Sequence, residues 1–190
     1  NRKKITRLIR DWQADLGFAH RPWDYHPDHR YTGILVQDAA FMVAVTYICP
    51  DTPPLKKRAT FFYFPDGFTK PYPFKPDMAV SIDDVFEEKL HAIDALESQV
   101  YEGGALANPR VLIQRKAADP KQRKEILRLS WQRRQGNIAK KFRDELIEWY
   151  GKKDGEAVKY AEAFELCEYG RRPSKAELKK LFPFFEKQDG

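Results

Sequence analysis

Apolar residues recur at Ile5, Leu8, Ile9 and Trp12, a spacing of i, i+3, i+4 and i+7 that predicts a helix over 3–14 with one apolar stripe. A short apolar run, Leu16-Gly17-Phe18-Ala19, comes next and stops at His20-Arg21-Pro22. Helix, tight link, short buried strand and polar loop read together as one unit of a mostly parallel sheet. A second helix is expected over 28–48; it is apolar on most sides and so expected to be buried. Asp28 suits its dipole and Pro50 stops it. Thr60-Phe61-Phe62-Tyr63-Phe64 is a strand by aromatic and β-branched content. After a turn-rich stretch, Met78-Ala79-Val80-Ser81-Ile82 is another. Asp83-Asp84 reads as the N-cap of a helix reaching Glu102, ended by Gly103-Gly104-Ala105. Leu127, Trp131, Ile138, Phe142, Leu146 and Trp149 mark one face of a long helix that begins near Pro120. A shorter helix is expected over 157–169, and Ser174 caps a last one through Leu181.

Composition changes this picture little. With 190 residues, 42% hydrophobic, 33% charged and 14% aromatic, the chain has apolar area enough for one packed domain. Its longest apolar run, 39–49, is the length of a core helix and falls short of a membrane span. Two cysteines, Cys49 and Cys167, make no disulfide framework and no zinc spacing, which fits a reduced, cytoplasmic setting. The net charge of +6 is concentrated between Arg110 and Arg143. Such an excess marks either a nucleic-acid surface or a solvated helix face. The helix's aromatics fall on its apolar stripe and not among the basic residues, so no stacking platform for bases is visible.

The candidate chemistry lies in residues 20–30, the loop placed at a strand's carboxyl end, where open α/β sheets carry their functional groups. Three of the four histidines are here: His20, His26 and His29. His26 and His29 flank Pro27-Asp28, and Asp24 stands just before them. Two imidazoles and two carboxylates within six residues are ligand types for zinc or iron. Three arrangements remain open on residue chemistry alone. Both histidines bind one metal, or one binds and the other faces a substrate, or the loop merely caps a helix with Asp28 accepting backbone N–H groups.

His26-Pro27-Asp28-His29, followed by Arg30-Tyr31-Thr32-Gly33 and a helix with Ala39-Ala40, resembles the second motif of the PIG-L/LmbE family. The preceding RLIRDWQADLGFAHRPWDY keeps the helix, strand and loop found before that motif. Lys89 and Ser98-Gln99 resemble a later helix of the family, and Ala161-Glu162-Ala163-Phe164 its C-terminal segment. The resemblance implies an α/β, Rossmann-like three-layer sheet and a zinc-dependent hydrolase that removes acetyl groups from N-acetylated amino-sugar-type substrates. It implies that His29 is a metal ligand and that His26 steadies the oxyanion or protonates the leaving amine. Asp28 would then orient an imidazole, with Arg21, Asp24 and Tyr25 placed for substrate contacts.

The sequence also departs from the family. It contains no AHPDD-type stretch, which in the family supplies two metal ligands and the general base. Leu96 stands where relatives commonly have histidine, and Gly103-Gly104-Ala105 where they carry a Trp-containing segment; His91 reads as surface or core. The expectation is therefore a sheet lacking its first strand or strands over 1–105, with a basic helical extension over 106–190. By itself such a chain would be inactive, completed by an N-terminal fragment or by homo-oligomerisation over the open sheet edge. A catalytically silent relative acting as a binding or structural module is the alternative, and nucleic-acid binding through the basic helix a weaker one.

Overall fold

The computed structural model describes residues 1–102 and 119–185. Its helices and strands alternate around a four-stranded sheet of order β1-β2-β4-β3, a mixed α/β fold as expected. The strands are β1 (Leu16–Ala19), β2 (Thr60–Tyr63), β3 (Met78–Ser81) and β4 (Ala161–Leu166). β1 and β2 run parallel with Leu16 opposite Thr60, whereas β2 and β4 run antiparallel with Phe62 opposite Leu166. Two compact units divide the chain, one made of Asn1–Met78 with Ala163–Gly190 and the other of Ala79–Glu162.

In the first unit, helix α1 (Arg2–Trp12) keeps the predicted stripe, and Ile9 packs with Val36 and Ala40 over Phe61 and Tyr63. Alternation sends Phe62 to the other face, where it meets Phe18, Phe164 and Phe182. The Phe61 ring lies over the backbone of Gly17: a Cβ there would stand 2.5 Å from two ring carbons, and one at Gly170 would stand 2.8 Å from another.

Helix α2 spans Pro27–Met42, shorter than the pattern suggested. Arg10, fully buried on α1, explains the early end. Its guanidinium donates to the carbonyl oxygens of Met42, Val43, Val45, Ile48, Cys49 and Thr52 at 2.6–3.1 Å. A helix end must find partners for its last carbonyls, and here one cation takes Met42's together with those of the turns that come after it. α2 is also less buried than its composition predicts, because Tyr31, Ile34 and Phe41 face outward.

In the second unit the predicted helix after β3 is broken into a 3-10 turn (Asp83–Val85), α3 (Phe86–Asp94) and α4 (Glu97–Val100). The bend at Ala95-Leu96 lets Val100 and Tyr101 pack with Leu127, Ile93 and Trp131, and the Tyr101 hydroxyl donates to Asp94. Asp83 caps no helix: its carboxylate accepts the backbone N–H of Lys159 at 2.9 Å and of Tyr160 at 2.7 Å. The expected end of that helix at Gly103-Gly104-Ala105 lies outside the described residues. α5 (Pro120–Lys141) and α6 (Arg143–Tyr150) replace one long helix, interrupted at Phe142, and α7 (Lys152–Ala157) comes after them.

The helix expected over 157–169 is strand β4 instead. Ala161 and Ala163 alternate inward as a strand requires, and the backbone is held by Asp77 accepting from Leu166 at 2.6 Å. Cys167 continues the pairing by donating to the Phe61 carbonyl. Tertiary pairing overrides a run of good helix formers.

The last helix, α8 (Lys175–Leu181), is capped as predicted, with Ser174 and Glu177 forming a reciprocal capping box. The Ser174 contacts, chiefly its backbone N–H, hold the Glu177 carboxyl down at about 2, and Arg171 adds to this. A depressed carboxylate stabilises the fold above its unfolded value near 4.5 and ceases to do so as pH falls through 2. Ser174→Ala, which removes the N-cap side chain, is expected to cost about 1 kcal/mol at neutral pH. Urea midpoints of variant and parent should still differ at pH 2, because Ala keeps the backbone N–H that chiefly holds Glu177 down and the lost bond from the Glu177 N–H to the Ser174 hydroxyl does not titrate.

Candidate metal centre

The carboxyl end of β1 delivers His20, and the loop after it carries Asp24 and His26 before α2 begins at Pro27. His26 is the N-cap of α2: its Nδ1 accepts the Asp28 N–H at 3.2 Å, so its Nε2 carries the proton when the ring is neutral. Three residues later His29 is on the first turn of α2, facing back toward the strand end.

His20, Asp24 and His29 come together here, each offering a ligand atom within 4.8 Å of the others. The imidazoles of His20 and His29 stack with centroids 3.9 Å apart and planes 6° from parallel. Asp24, nearly buried, bridges them: one carboxylate oxygen is 3.0 Å from His29 Nδ1 and the other 3.6 Å from His20 Nδ1. The same carboxylate accepts the backbone N–H of His26 at 3.2 Å, while Arg30 donates to the carbonyls of Asp24 and Tyr25. The loop is therefore held on three sides. Burial lowers the pKa of His20 below its ordinary 6.5, and His29 beside it acts in the same direction. That favours the neutral ring a metal requires.

The close approach of α2 to β1 rests on Gly33. A Cβ at this position would stand 2.4 Å from the His20 carbonyl oxygen, a backbone atom that cannot swing aside. Gly33→Ala is expected to destabilise the fold by about 1–3 kcal/mol, measured by urea unfolding. It should also part His20 from His29, weakening metal retention in equilibrium dialysis.

The remaining expected residues fall in different places. Tyr25 is 68% exposed at the mouth of the cluster, its ring edge-on to His26 and His29. The Asp28 side chain is 89% exposed, with an oxygen 3.8 Å from His26 Nδ1. Arg21 is fully buried: it pairs with Asp66 at 3.1 Å, donates to the Tyr72 carbonyl at 2.5 Å and lies against the rings of Trp23 and Tyr72. Sequence reasoning passed over His20. Its signal was its place as the residue directly after β1, next to a loop already rich in ligand types.

The donor set fits a metal. Two imidazoles and a carboxylate suit zinc or iron, and Asp24 on His29 Nδ1 leaves Nε2 for the ion in the manner of carboxylate–histidine–zinc sites. His91 is elsewhere, on α3 in the second unit. No helix among the described residues is long and apolar enough to cross a membrane.

No protein-family model matches the chain. It is homologous to the diacetylchitobiose deacetylase of Thermococcus kodakarensis, with 31% identity over 106 residues covering 52% of this chain and 37% of that protein. The chain thus spans well under half the length of this curated relative. Three solved structures share the fold. The N,N′-diacetylchitobiose deacetylase of Pyrococcus horikoshii is 22% identical, covering 88% of this chain and 51% of its own, with a TM-score of 0.51. A conserved protein of Thermus thermophilus is 21% identical, covering 90% and 60%, with a TM-score of 0.54. The 4-carboxy-2-hydroxymuconate hydratase of Pseudomonas putida is 15% identical, covering 92% and 60%, with a TM-score of 0.55. The last of these shows that the fold alone does not choose the reaction.

Proposed function

We propose that this chain forms one side of the active site of a zinc-dependent hydrolase of the PIG-L/LmbE type, which removes acetyl groups from N-acetylated amino sugars. The observation that carries the reading is the His20–Asp24–His29 cluster at the carboxyl end of β1, in a chain that is 31% identical over 106 residues to a sugar deacetylase. His29 holds the metal through Nε2, Asp24 fixes the orientation of that ring, and His20 offers the second imidazole. Zinc held there supplies a Lewis acid for the amide carbonyl and lowers the pKa of its bound water to roughly 7.

The chain's other residues do the positioning. With Nδ1 occupied by the Asp28 amide, His26 presents an Nε2–H donor, suited to the oxyanion of a tetrahedral intermediate or to protonating the departing amine. Asp28 stands beside that ring on the solvent side, and Tyr25 at the mouth offers an aromatic edge to an incoming sugar. The general base and further ligands are proposed to come from an AHPDD-type motif outside these residues, brought beside β1, the edge strand among the described residues.

The test uses the protein at its natural full length. Stoichiometric zinc or another divalent metal by mass spectrometry, together with acetate release from N,N′-diacetylchitobiose, is the expected result. Metal-free protein that releases no acetate after zinc is added would overturn the proposal and leave the reading as a binding module.

A further inference from the structure

The first unit holds a concavity lined by none of the three residues of the histidine cluster. This cleft of about 580 Å³ is bordered by Pro22 and Trp23 of the loop after β1, by Gln37 of α2, and by Tyr63, Tyr72, Lys75 and Asp77. Its remaining wall is the end of β4 and the segment leading out of that strand, with Glu165, Glu168, Tyr169 and Arg172. The size is that of an ordinary small-molecule site, roughly 300–1,000 Å³.

The cleft is built. Glu165 is only 7% exposed yet lines this space, and its carboxylate is held by the Tyr72 hydroxyl at 3.2 Å and the Lys75 N–H at 3.0 Å. Burial and the neighbouring Glu165 carboxylate push the Tyr72 phenol up to about 12, so it stays a donor at every physiological pH. Trp23 and Tyr72 meet edge to face at 5.0 Å, and the buried Arg21 guanidinium lies about 5 Å from both rings, fixing the aromatic wall from behind. The Arg21–Asp66 pair thus acts as a brace for this wall.

The chemistry of the lining selects a class of ligand. The aromatic side chains of Trp23, Tyr72 and Tyr169 in the lining suit the C–H surface of a sugar ring, and Glu165 and Gln37 suit its hydroxyls. Charge is mixed, with Glu168 and Arg172 paired at 3.4 Å, so no single sign dominates as it would for a phosphate or a polycation. Trp23 adjoins Asp24 in the chain, so the loop that forms the metal cluster also forms this wall. Resting on the deacetylase reading, we infer that this cleft is a saccharide subsite, which takes an uncharged pyranose ring of the substrate other than the one that reacts.

The test is calorimetric titration of the metal-loaded, full-length protein with cellobiose, a disaccharide with no acetyl group to remove. Saturable binding is expected, weakened about tenfold in Glu165→Gln, where a charged hydrogen bond is lost. Tyr169→Ala, at a 59% exposed rim position that threatens no fold, should weaken it about fivefold. With N,N′-diacetylchitobiose the same variants should raise KM by similar factors and leave kcat in place. No binding by the parent protein, or unchanged affinity in Tyr169→Ala and in folded Glu165→Gln, would overturn the subsite. Binding that responds to these variants in a protein releasing no acetate would keep the subsite and discard the deacetylase.

Discussion

His29→Ala in the full-length protein is expected to lose its metal and to lower kcat/KM for an N-acetylated sugar by about three orders of magnitude, the several kcal/mol a Lewis acid contributes. His29 is the residue on which the cluster closes: it stacks on His20 and is gripped by Asp24 at 3.0 Å. His26→Ala separates the two imidazoles by role. It should retain metal and lose roughly 10²–10³-fold in kcat, the range of one oxyanion donor. Metal content by mass spectrometry, read beside initial rates, distinguishes them. Undiminished activity in His29→Ala would sink the assignment, and metal loss in His26→Ala would exchange the roles.

The second large effect belongs to Arg10→Met. Removing the guanidinium takes a donor from six carbonyl oxygens between Met42 and Thr52; those of Met42, Val43, Val45 and Cys49 keep a backbone N–H, whereas those of Ile48 and Thr52 depend on Arg10 among the described residues. Each buried acceptor left unmade costs about 1–3 kcal/mol, so the two that depend on the guanidinium set a loss of about 2–4 kcal/mol, a large part of a typical domain's stability. Arg10→Lys should recover little, because a single ammonium has three donors and no fork to reach carbonyls on both sides. Chemical denaturation monitored by tryptophan fluorescence measures both. A cost under 1 kcal/mol for Arg10→Met would mean that the segment after α2 finds other partners.

Much of the first unit was legible in the sequence, since local patterns and the contacts that matter agree there. The stripe Ile5, Leu8, Ile9, Trp12 formed α1, Leu16–Ala19 formed β1, and Ser174 with Glu177 capped the last helix. What escaped depends on partners distant in sequence. Arg10 reads as one more polar position on an amphipathic helix until the chain forty residues on folds around it. Residues 161–166 carry Ala, Glu and Leu, all good helix formers, and it is pairing with β2 and β3, with the carboxylate of Asp77, that makes them a strand. Asp83 looked like a cap because it precedes a helix, whereas its oxygens serve the strand entering beside it.

The site divides along the same line. His26 and His29 stood out by their spacing around Pro27-Asp28, and Asp24 by its closeness. That Asp24 would turn inward to bridge two imidazoles needed the third dimension, as did the contribution of His20. The aromatic cleft had no linear signature, since its lining comes from three separated segments.

The contact of Phe61 with Gly17 sets the order in which these positions can change. A methyl group introduced at 17 first collides with the ring at 2.5 Å, whereas the same change made after the ring has been trimmed meets no atom closer than 3.7 Å. Position 170 has no such sequel, because the Ala59 carbonyl oxygen 2.7 Å away bars a side chain whatever stands at 61. One of these two glycines is contingent on its neighbour and the other is not, so the tolerance of the chain to substitution depends at this point on its history.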